Sequence, residues 1–444
     1  MVLSLINKFI VIIVKILFLL LILLFFQLLI IDISAWILVS SILFVLLLDF
    51  SKPLLFKNFF LFYTFLFFII SGEFYFSEEK SFLLDFFVCV TFFMLGYKLV
   101  LLKEQKETYN NIYLNYDSLF YIAYVLNIGL ILYKIFLVGF SGYLGGDFFV
   151  LSKDSYGTRD NGMGFYTIIK NFVEIYSLSL VILHQYAIFV KKRHANYLPF
   201  IILLLIVPML SLERFRLVQG IIMGLLIFSL ANDKRGEFKL KHFIILLISI
   251  ITIVFSAISI NSIRSKGFYG ENQSESSNPE FAFQILGELN NTFIYKEIKD
   301  GLKSGKYSYQ YGRTLLLPLA LKIAPRSFFP EKPLNTGGEI SKSLDLISFE
   351  NGFMIPSAIY GDLYYNFGYF GLAIGCLLLG YISNVLDSGI INGSKGKVVI
   401  SVFVMNYHFY SFLRNDISNS VSLIIFTFIV IYFLKNINKI KIII

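Results

Sequence analysis

Residues 361–380 read GDLYYNFGYFGLAIGCLLLG, a polar and aromatic segment that passes directly into a run of apolar residues. The apolar part is continuous rather than alternating, which favours a helix over a strand. With its flanks, the stretch 357–386 is long enough to cross the roughly 30 Å hydrocarbon core of a bilayer. It therefore predicts a membrane-spanning helix whose first turns carry tyrosines, an aspartate and an asparagine.

The rest of the chain has the same apolar character. Hydrophobic residues make up 57% of its 444 residues and charged residues 15%. A soluble protein has no core large enough to hide so much apolar surface, so a lipid bilayer is the expected solvent. Backbone groups in lipid must bond to one another, which leaves helical bundles or closed barrels, and the continuous apolar runs select helices. The expected fold is an all-α polytopic membrane protein.

Twelve apolar runs are predicted to cross the membrane. Their approximate bounds are 9–31, 33–48, 59–71, 82–101, 118–138, 167–190, 197–210, 217–230, 243–260, 357–386, 398–412 and 420–434. Basic residues alternate between the connections, with eighteen in one set and six in the short connections of the other set. Because cytoplasmic loops are enriched in Lys and Arg, both termini are predicted to lie in the cytoplasm. The longer loops 139–166 and 264–356 then face outward.

The net charge of +9 does not indicate a protein that binds nucleic acid. The basic residues lie between predicted spans rather than on one solvated face, and membrane topology explains that distribution. The two cysteines, Cys89 and Cys376, both fall inside apolar runs. Neither a disulfide nor a metal site is therefore expected.

The outer loop 264–356 divides the chain into three parts. Residues 1–263 contain nine predicted spans, and residues 357–444 contain three. Within the loop, apolar residues recur at helical spacing from Phe281 to Leu302, which predicts an amphipathic helix. A shorter apolar piece, 315–323, contains a proline and is predicted to lie at the membrane interface or to re-enter the membrane.

The outer side carries arginines rather than histidines. Glycine-rich phosphate loops, His-Glu-x-x-His and Gly-x-Ser-x-Gly are absent from the sequence. For any one of these arginines, binding to a lipid headgroup or pairing with a carboxylate is the simpler explanation of its position. As a set they predict a polyanionic ligand, because guanidinium groups bind phosphate oxygens bidentately. These arginines are Arg159, Arg214, Arg216, Arg264, Arg313, Arg326 and Arg414.

Carboxylates on the same side are candidates for a base that activates a sugar hydroxyl. Spacing alone does not choose among Asp147, Asp154, Asp160, Glu288, Glu339, Asp345, Glu350 and Asp362. Glu339 is the first candidate because it follows two glycines close in sequence to Arg326, and Asp362 is the second. Tyr364 and Asn366 suit a sugar ring, although aromatic residues here also fit an interfacial belt.

The layout and three segments resemble the Wzy-type O-antigen polymerases, the repeat-unit polymerases of bacterial inner membranes. The first segment is 324–333, APRSFFPEKP, with Arg326 and Lys332. The second is 361–371, which has the family's acidic-Tyr-Asn-Phe-Gly-x-x-Gly pattern, and the third is 156–164, which contains Arg159. Some members also carry an arginine, ten residues and a glycine in these loops, a spacing that Arg326 and Gly337 match.

The resemblance implies a GT-C-like glycosyltransferase that joins undecaprenyl-diphosphate-linked oligosaccharides at the periplasmic face. It implies an inverting transfer to the non-reducing-end sugar, with no metal or other cofactor. The residues expected to bind the diphosphate and the sugars are Arg159, Arg313, Arg326, Lys332, Tyr364 and Asn366. A Wzz-type chain-length regulator and a flippase are the expected protein partners, beside the membrane lipids.

Three other functions stay open. An O-antigen ligase has a similar topology and the same lipid donor, but its large loop is expected to carry a functional histidine, and 264–356 contains none. A flippase or other transporter needs no outer loop of this length, and such proteins tend to have inverted repeats, which this sequence lacks. A non-catalytic membrane scaffold is compatible with the sequence.

Overall fold

The computed structural model describes residues 15–16, 18–20, 35–49, 55–70, 81–99, 116–145, 169–170, 172–177, 179–181, 202–207, 291–320, 333–344, 356–391 and 417–437. Within these ranges all regular structure is helical, and no strand occurs. The prediction of an all-helical chain is confirmed for this part. The number of spans and the GT-C arrangement stay predictions.

We number the α-helices of the described ranges in chain order. The first four are α1 (Ala35–Leu47), α2 (Phe56–Phe65, continued by a π-helical turn Leu66–Ile70), α3 (Ser81–Lys98) and α4 (Tyr116–Gly145). The stretch 264–356, which keeps the name outer loop after its predicted side of the membrane, contributes α5 (Asn291–Ser304), α6 (Arg313–Ala320) and α7 (Thr336–Leu344). The last two are α8 (Ala358–Ile391) and α9 (Ile417–Ile437), and a further π-helical turn covers Ile202–Ile206.

Two of the described helices are long and apolar enough to cross a membrane. They are Leu119–Tyr143 within α4 and Ala358–Gly389 within α8. Both coincide with predicted spans, 118–138 and 357–386. Large apolar side chains on α8, such as Phe370 and Leu378, are 69% and 54% exposed. An exposed apolar surface of this kind is suited to contact with lipid.

Each of these two helices is interrupted at a glycine. Gly139 in α4 has φ 73° and ψ 167°, and Gly368 in α8 has φ 60° and ψ −146°. Glycine adopts positive φ without the steric cost that a Cβ imposes. The break at Gly368 separates a buried first segment of α8, which carries polar side chains, from the apolar segment that follows.

The core of the described part lies where α3 packs along α8, with α2 and α5 against them. Gly96 of α3 lies against the backbone of Leu377, and Gly380 of α8 lies against the backbone of Phe93. A Cβ at either glycine would overlap with the opposite backbone. Small residues therefore permit the close approach of these two helices, as is common in membranes.

At the end of α8 away from the outer loop, Asp387 fixes α2 and α3. Its carboxylate accepts hydrogen bonds from the N–H of Phe56 at 2.6 Å and of Lys57 at 3.2 Å. The hydroxyl of Tyr97 donates to the same carboxylate at 3.0 Å. The first N–H groups of a helix have no intrahelical acceptor, and a negative charge near them is favourable.

The outer loop contains the predicted amphipathic helix as α5. Its buried face includes Ile294, Tyr295 and Ile298, each 0% exposed. The first part of the predicted helix, up to residue 290, lies outside the described residues. The apolar piece predicted at 315–323 corresponds to α6, which includes Pro318. Its relation to the membrane stays a prediction.

Candidate active site

The break at Gly368 leaves backbone carbonyl groups of α8 available to bind the outer loop. Carbonyl groups in the last turn before a break have no intrahelical N–H partner. The carbonyl oxygen of Tyr365 accepts a hydrogen bond from the N–H of Gln310 at 3.2 Å. That of Asn366 accepts one from the N–H of Tyr311 at 3.1 Å. The loop is thus fixed to the membrane helix immediately before α6 begins.

Asn366 is fully buried, and its side-chain amide bonds within the protein. Its Oδ1 accepts a hydrogen bond from the N–H of Gly312 at 2.8 Å. Its Nδ2 donates to the Thr314 hydroxyl and to the Asp362 carbonyl oxygen, each at 2.8 Å. This predicted sugar-binding residue therefore lies in the protein interior, where its hydrogen bonds fix the turn that leads into Arg313.

That turn is held in a strained conformation. Tyr311 has φ 48° and Gly312 has φ 90°. A tyrosine in the left-handed region costs on the order of 1–3 kcal/mol and persists only where the surroundings impose it. The hydrogen bonds from Tyr311 and Gly312 to Asn366 supply that constraint. Strain of this kind is concentrated at functional sites. Arg313, which directly follows the turn, is therefore a candidate functional residue.

The helices α6 and α7 begin side by side. The hydroxyl oxygens of Thr314 and Thr336 lie 2.9 Å apart, and both residues are buried. Asn335 caps α7 by accepting a hydrogen bond from the N–H of Gly338 at 3.1 Å. This pairing brings Arg313, at the start of α6, next to Glu339 in the first turn of α7.

Glu339 is contacted from two sides. The Nη2 of Arg313 lies 3.4 Å from its Oε1, and the hydroxyl of Tyr365 lies 3.4 Å from its Oε2. The Glu339 side chain is 19% exposed, and that of Arg313 is 59% exposed. Both distances are at the long end for hydrogen bonds. The carboxylate is therefore positioned without being tightly bound, and it remains open to a substrate.

Burial changes the acidity of this carboxyl group. Loss of hydration raises the pKa of Glu339 above the ordinary value for a glutamate, whereas the Arg313 charge and the Tyr365 hydroxyl lower it. A carboxylate with a raised pKa accepts a proton more readily than an exposed one. Such groups are suited to general-base catalysis.

Tyr307, which follows the end of α5, connects Tyr365 to that helix. The rings of Tyr307 and Tyr365 pack edge to face, with centroids 6.1 Å apart and planes at 90°. The Tyr307 hydroxyl lies 3.1 Å from Glu297 Oε1 and 2.5 Å from Ser343 Oγ. The Nζ of Lys306 lies 2.7 Å from the same Glu297 oxygen. Polar groups from α5, α7 and α8 thus surround one site.

Tyr365, which the sequence does not single out, contacts Glu339, whereas the predicted Tyr364 does not. A helix turns by about 100° per residue, so adjacent tyrosines face different surroundings. The ring of Tyr364 lies 5.6 Å from that of Tyr295 and 5.3 Å from that of Tyr369. To choose between the two tyrosines from the sequence, one would have to know which side of α8 faces α7.

Asp362, the second predicted base, is a buried acceptor that joins two helices. Its Oδ1 accepts a hydrogen bond from the Ser357 hydroxyl at 2.6 Å. Its Oδ2 accepts one from the N–H of Ile417 at 2.6 Å, and Asp362 is 0% exposed. Ile417 begins α9, so the carboxylate satisfies an N–H that the helix itself leaves unpaired. Of the two candidate bases, Glu339 is the one that is open to a substrate.

Three predicted residues, Arg159, Arg326 and Lys332, lie outside the described residues, and their roles stay predictions. In the ranges that the structure describes, no three His, Cys, Asp or Glu side chains group closely enough to hold a metal ion. The described candidates Arg313 and Glu339 are brought into contact, although 26 residues separate them in sequence.

Comparison with known proteins adds one finding to this geometry. A family model described as O-antigen polysaccharide polymerase Wzy matches residues 2–441, which is essentially the whole chain. No curated protein and no solved structure matches it. The matched range includes the outer loop with α5 to α7 and both long apolar helices.

Proposed function

Because the chain belongs to the O-antigen polysaccharide polymerase Wzy family, we propose that the cluster around Glu339 carries out its polymerising transfer. The family establishes O-antigen polymerisation, lipid-linked oligosaccharide substrates and the bacterial inner membrane. The observation that carries the proposal is the meeting of Arg313, Glu339 and Tyr365 where α8 joins the outer loop. Lipid-linked substrates present their sugars at such a boundary.

The proposed reaction is glycosyl transfer with inversion at the anomeric carbon. The growing chain is carried on undecaprenyl diphosphate, and the acceptor is a hydroxyl of the non-reducing-end sugar of another lipid-linked unit. A new C–O bond forms at the anomeric carbon while the bond to the diphosphate breaks. The electron pair of the broken bond stays on the diphosphate, and the hydroxyl proton passes to the Glu339 carboxylate.

Arg313 is the proposed stabiliser of the diphosphate leaving group. Its guanidinium is more than half exposed and is held to Glu339 by only one long contact. Preorganised cationic donors of this kind stabilise charge that develops in the transition state. A turn of Arg313 toward phosphate oxygens would also remove a positive charge from Glu339, which raises the pKa of that base.

The other candidate residues are given supporting roles. Arg159, Arg326 and Lys332 are proposed to complete the diphosphate site, on the basis of their sequence motifs. The Tyr365 hydroxyl is proposed to orient the Glu339 carboxylate. Asn366 is proposed to position the Arg313 turn, and Tyr364 to fix the first segment of α8.

We propose that the transfer needs no metal ion, since the neighbours of Glu339 among the described residues are a guanidinium and a phenol rather than further carboxylates. Purified protein supplied with defined lipid-linked repeat units is expected to form polymer in excess EDTA. Strict dependence on added magnesium or manganese would contradict this.

In a deletion strain, single repeat units should still be attached to lipid A core while polymer is lost. Loss of that attachment as well would instead indicate a ligase.

The orientation in the membrane is a further part of the proposal. Both termini are placed in the cytoplasm, with twelve spans in a GT-C-like arrangement, on the basis of the alternating basic residues. A Wzz-type regulator and a flippase are the proposed partners. An impermeant thiol reagent is expected to label a cysteine placed at Ser274 and to leave one at Ser394 unlabelled. The reverse pattern would refute this orientation.

A further inference from the structure

A buried ion pair joins the outer loop to the membrane bundle at a place that the proposed reaction does not use. The Nζ of Lys299 on α5 lies 2.7 Å from Oδ2 of Asp85 on α3. The two side chains are 12% and 0% exposed. Ionisable residues within membrane segments are costly, and they are retained where a position or a function requires them.

Four aromatic rings surround the Lys299 ammonium. Its distances to the ring centroids are 5.6 Å for Phe82, 5.8 Å for Tyr295, 5.7 Å for Tyr364 and 5.8 Å for Tyr369. A cation within about 6 Å of a ring centroid is attracted by the ring face. The rings come from α3, α5 and α8, so a single ammonium holds three helices together.

Stability alone is a poor explanation for this pair. The Tyr295 and Tyr369 hydroxyls interact with the Asp85 carboxylate, but the buried Asp85 Oδ1 and Tyr295 hydroxyl make no hydrogen bond of good geometry within the described part of the chain. A buried ion pair offsets its loss of hydration only when its remaining polar atoms are also bonded. Apolar side chains of similar volume would generally stabilise such a site at least as well.

The ion pair is connected to the candidate active site by two short paths. On α5, Lys299 lies two residues from Glu297, which accepts a hydrogen bond from the Tyr307 hydroxyl. Tyr307 in turn packs against Tyr365. On α8, Tyr364 borders the ammonium and is the residue directly before Tyr365. Because neighbouring side chains on a helix point in different directions, both links run through the helix backbones. A shift of α5 or α8 caused by a change at Lys299 would therefore move Tyr307 or Tyr365 relative to the Glu339 carboxylate.

We propose that Asp85 and Lys299 are positioning residues for the polymerase reaction. The pair fixes α5 and the two sides of the α8 break relative to α3, and it thereby sets the geometry of Tyr365 against Glu339. The proposal rests on the function assigned above to the Glu339 cluster. A misplacement of about 1 Å remote from the reacting atoms is able to cost roughly 10²-fold in rate.

The test compares an apolar pair, Asp85→Leu with Lys299→Met, with the wild-type protein in reconstituted vesicles. The double variant is expected to accumulate and to unfold at or above the wild-type temperature in detergent. Its kcat is expected to fall about 10²-fold, with little change in the KM for the acceptor. Lys299→Arg should also lower kcat although it keeps the charge, because a planar guanidinium differs in shape from an ammonium. The control is Lys303→Met, an exposed lysine on the same helix.

Wild-type kcat in the folded apolar pair would overturn the proposal, since the ion pair would then be a structural contact only. Absence of folded protein from every variant, including the apolar pair, would also overturn it, because the contribution would be to folding. Retained activity in Glu339→Gln together with a lowered kcat in the apolar pair would show that the reaction centre lies elsewhere. The positioning of Tyr365 against Glu339 would be refuted in that case, and the pair would position a reaction centre other than the Glu339 cluster.

Discussion

Replacement of Glu339 by glutamine is expected to lower kcat of polymerisation by about 10²–10⁴-fold, with the protein still folded in the membrane. The amide keeps the size of the side chain but cannot accept the proton of the acceptor hydroxyl. Little stability should be lost, because both polar contacts of Glu339 are 3.4 Å long. The measurements are the initial rate of polymer formation from defined lipid-linked units and the thermal unfolding of the purified variant.

Asp300→Asn supplies the matched control for this change. Asp300 is an exposed carboxylate on α5, in the same outer loop. The same conversion of a carboxylate to an amide should leave the rate at the wild-type value. A fully active Glu339→Gln variant would remove Glu339 from the reaction and leave the base unassigned.

The second carboxylate, Asp362, provides a contrast with a different expected defect. In Asp362→Asn an amide NH2 replaces one of the two acceptor oxygens, so the hydrogen bond to residue 362 from either the Ser357 hydroxyl or the Ile417 N–H is lost. Loss of a hydrogen bond to a charged group costs about 1.5–3 kcal/mol. We therefore expect less folded protein but near-normal activity per folded molecule. A folded and inactive Asp362→Asn variant would exchange the roles assigned to the two carboxylates.

Local sequence patterns predicted much of the described fold. The continuous apolar run after Tyr369 predicted the second segment of α8, because only a helix satisfies its own backbone in lipid. The spacing of Ile294, Ile298 and Leu302 predicted α5, because residues three or four apart share one helix face. These features depend on neighbours in the sequence, and a single chain contains that information.

The arrangement of the candidate site depends on contacts between distant residues. Glycine at 368 permits a break but does not require one, and helices in membranes often contain glycine without breaking. The contact between Arg313 and Glu339 depends on the pairing of Thr314 with Thr336 and on the hydrogen bonds of Asn366. Spacing along the chain did not reveal this pairing, so the choice of Glu339 rested on adjacent glycines and a nearby arginine.

Replacement of Arg313 by glutamine is expected to lower the rate of polymerisation by about 10²–10³-fold. The variant loses a cation that faces the developing charge of the diphosphate. The pH dependence of its remaining kcat/KM, which reports the ionisation of the free enzyme, should also differ from that of the wild type. The Arg313 charge lowers the pKa of Glu339, so its removal raises that pKa further. A base acts only when it is ionised, and activity should therefore be lost at a higher pH than in the wild type as the solution is acidified.

Arg313→Lys separates the two effects of the arginine. An ammonium keeps a positive charge near Glu339, so the acidic limb of the pH profile should stay close to that of the wild type. The rate should remain low, because lysine lacks the planar fork that binds two phosphate oxygens. Initial rates measured from acidic to neutral pH for both variants give this comparison, with Lys303→Gln as the control for an exposed cation of the same loop.

If the acidic limb of Arg313→Gln coincided with that of the wild type, Glu339 would not be the group whose ionisation controls the reaction. Wild-type rates in both variants would remove Arg313 from the diphosphate site and leave that role to arginines elsewhere in the outer loops.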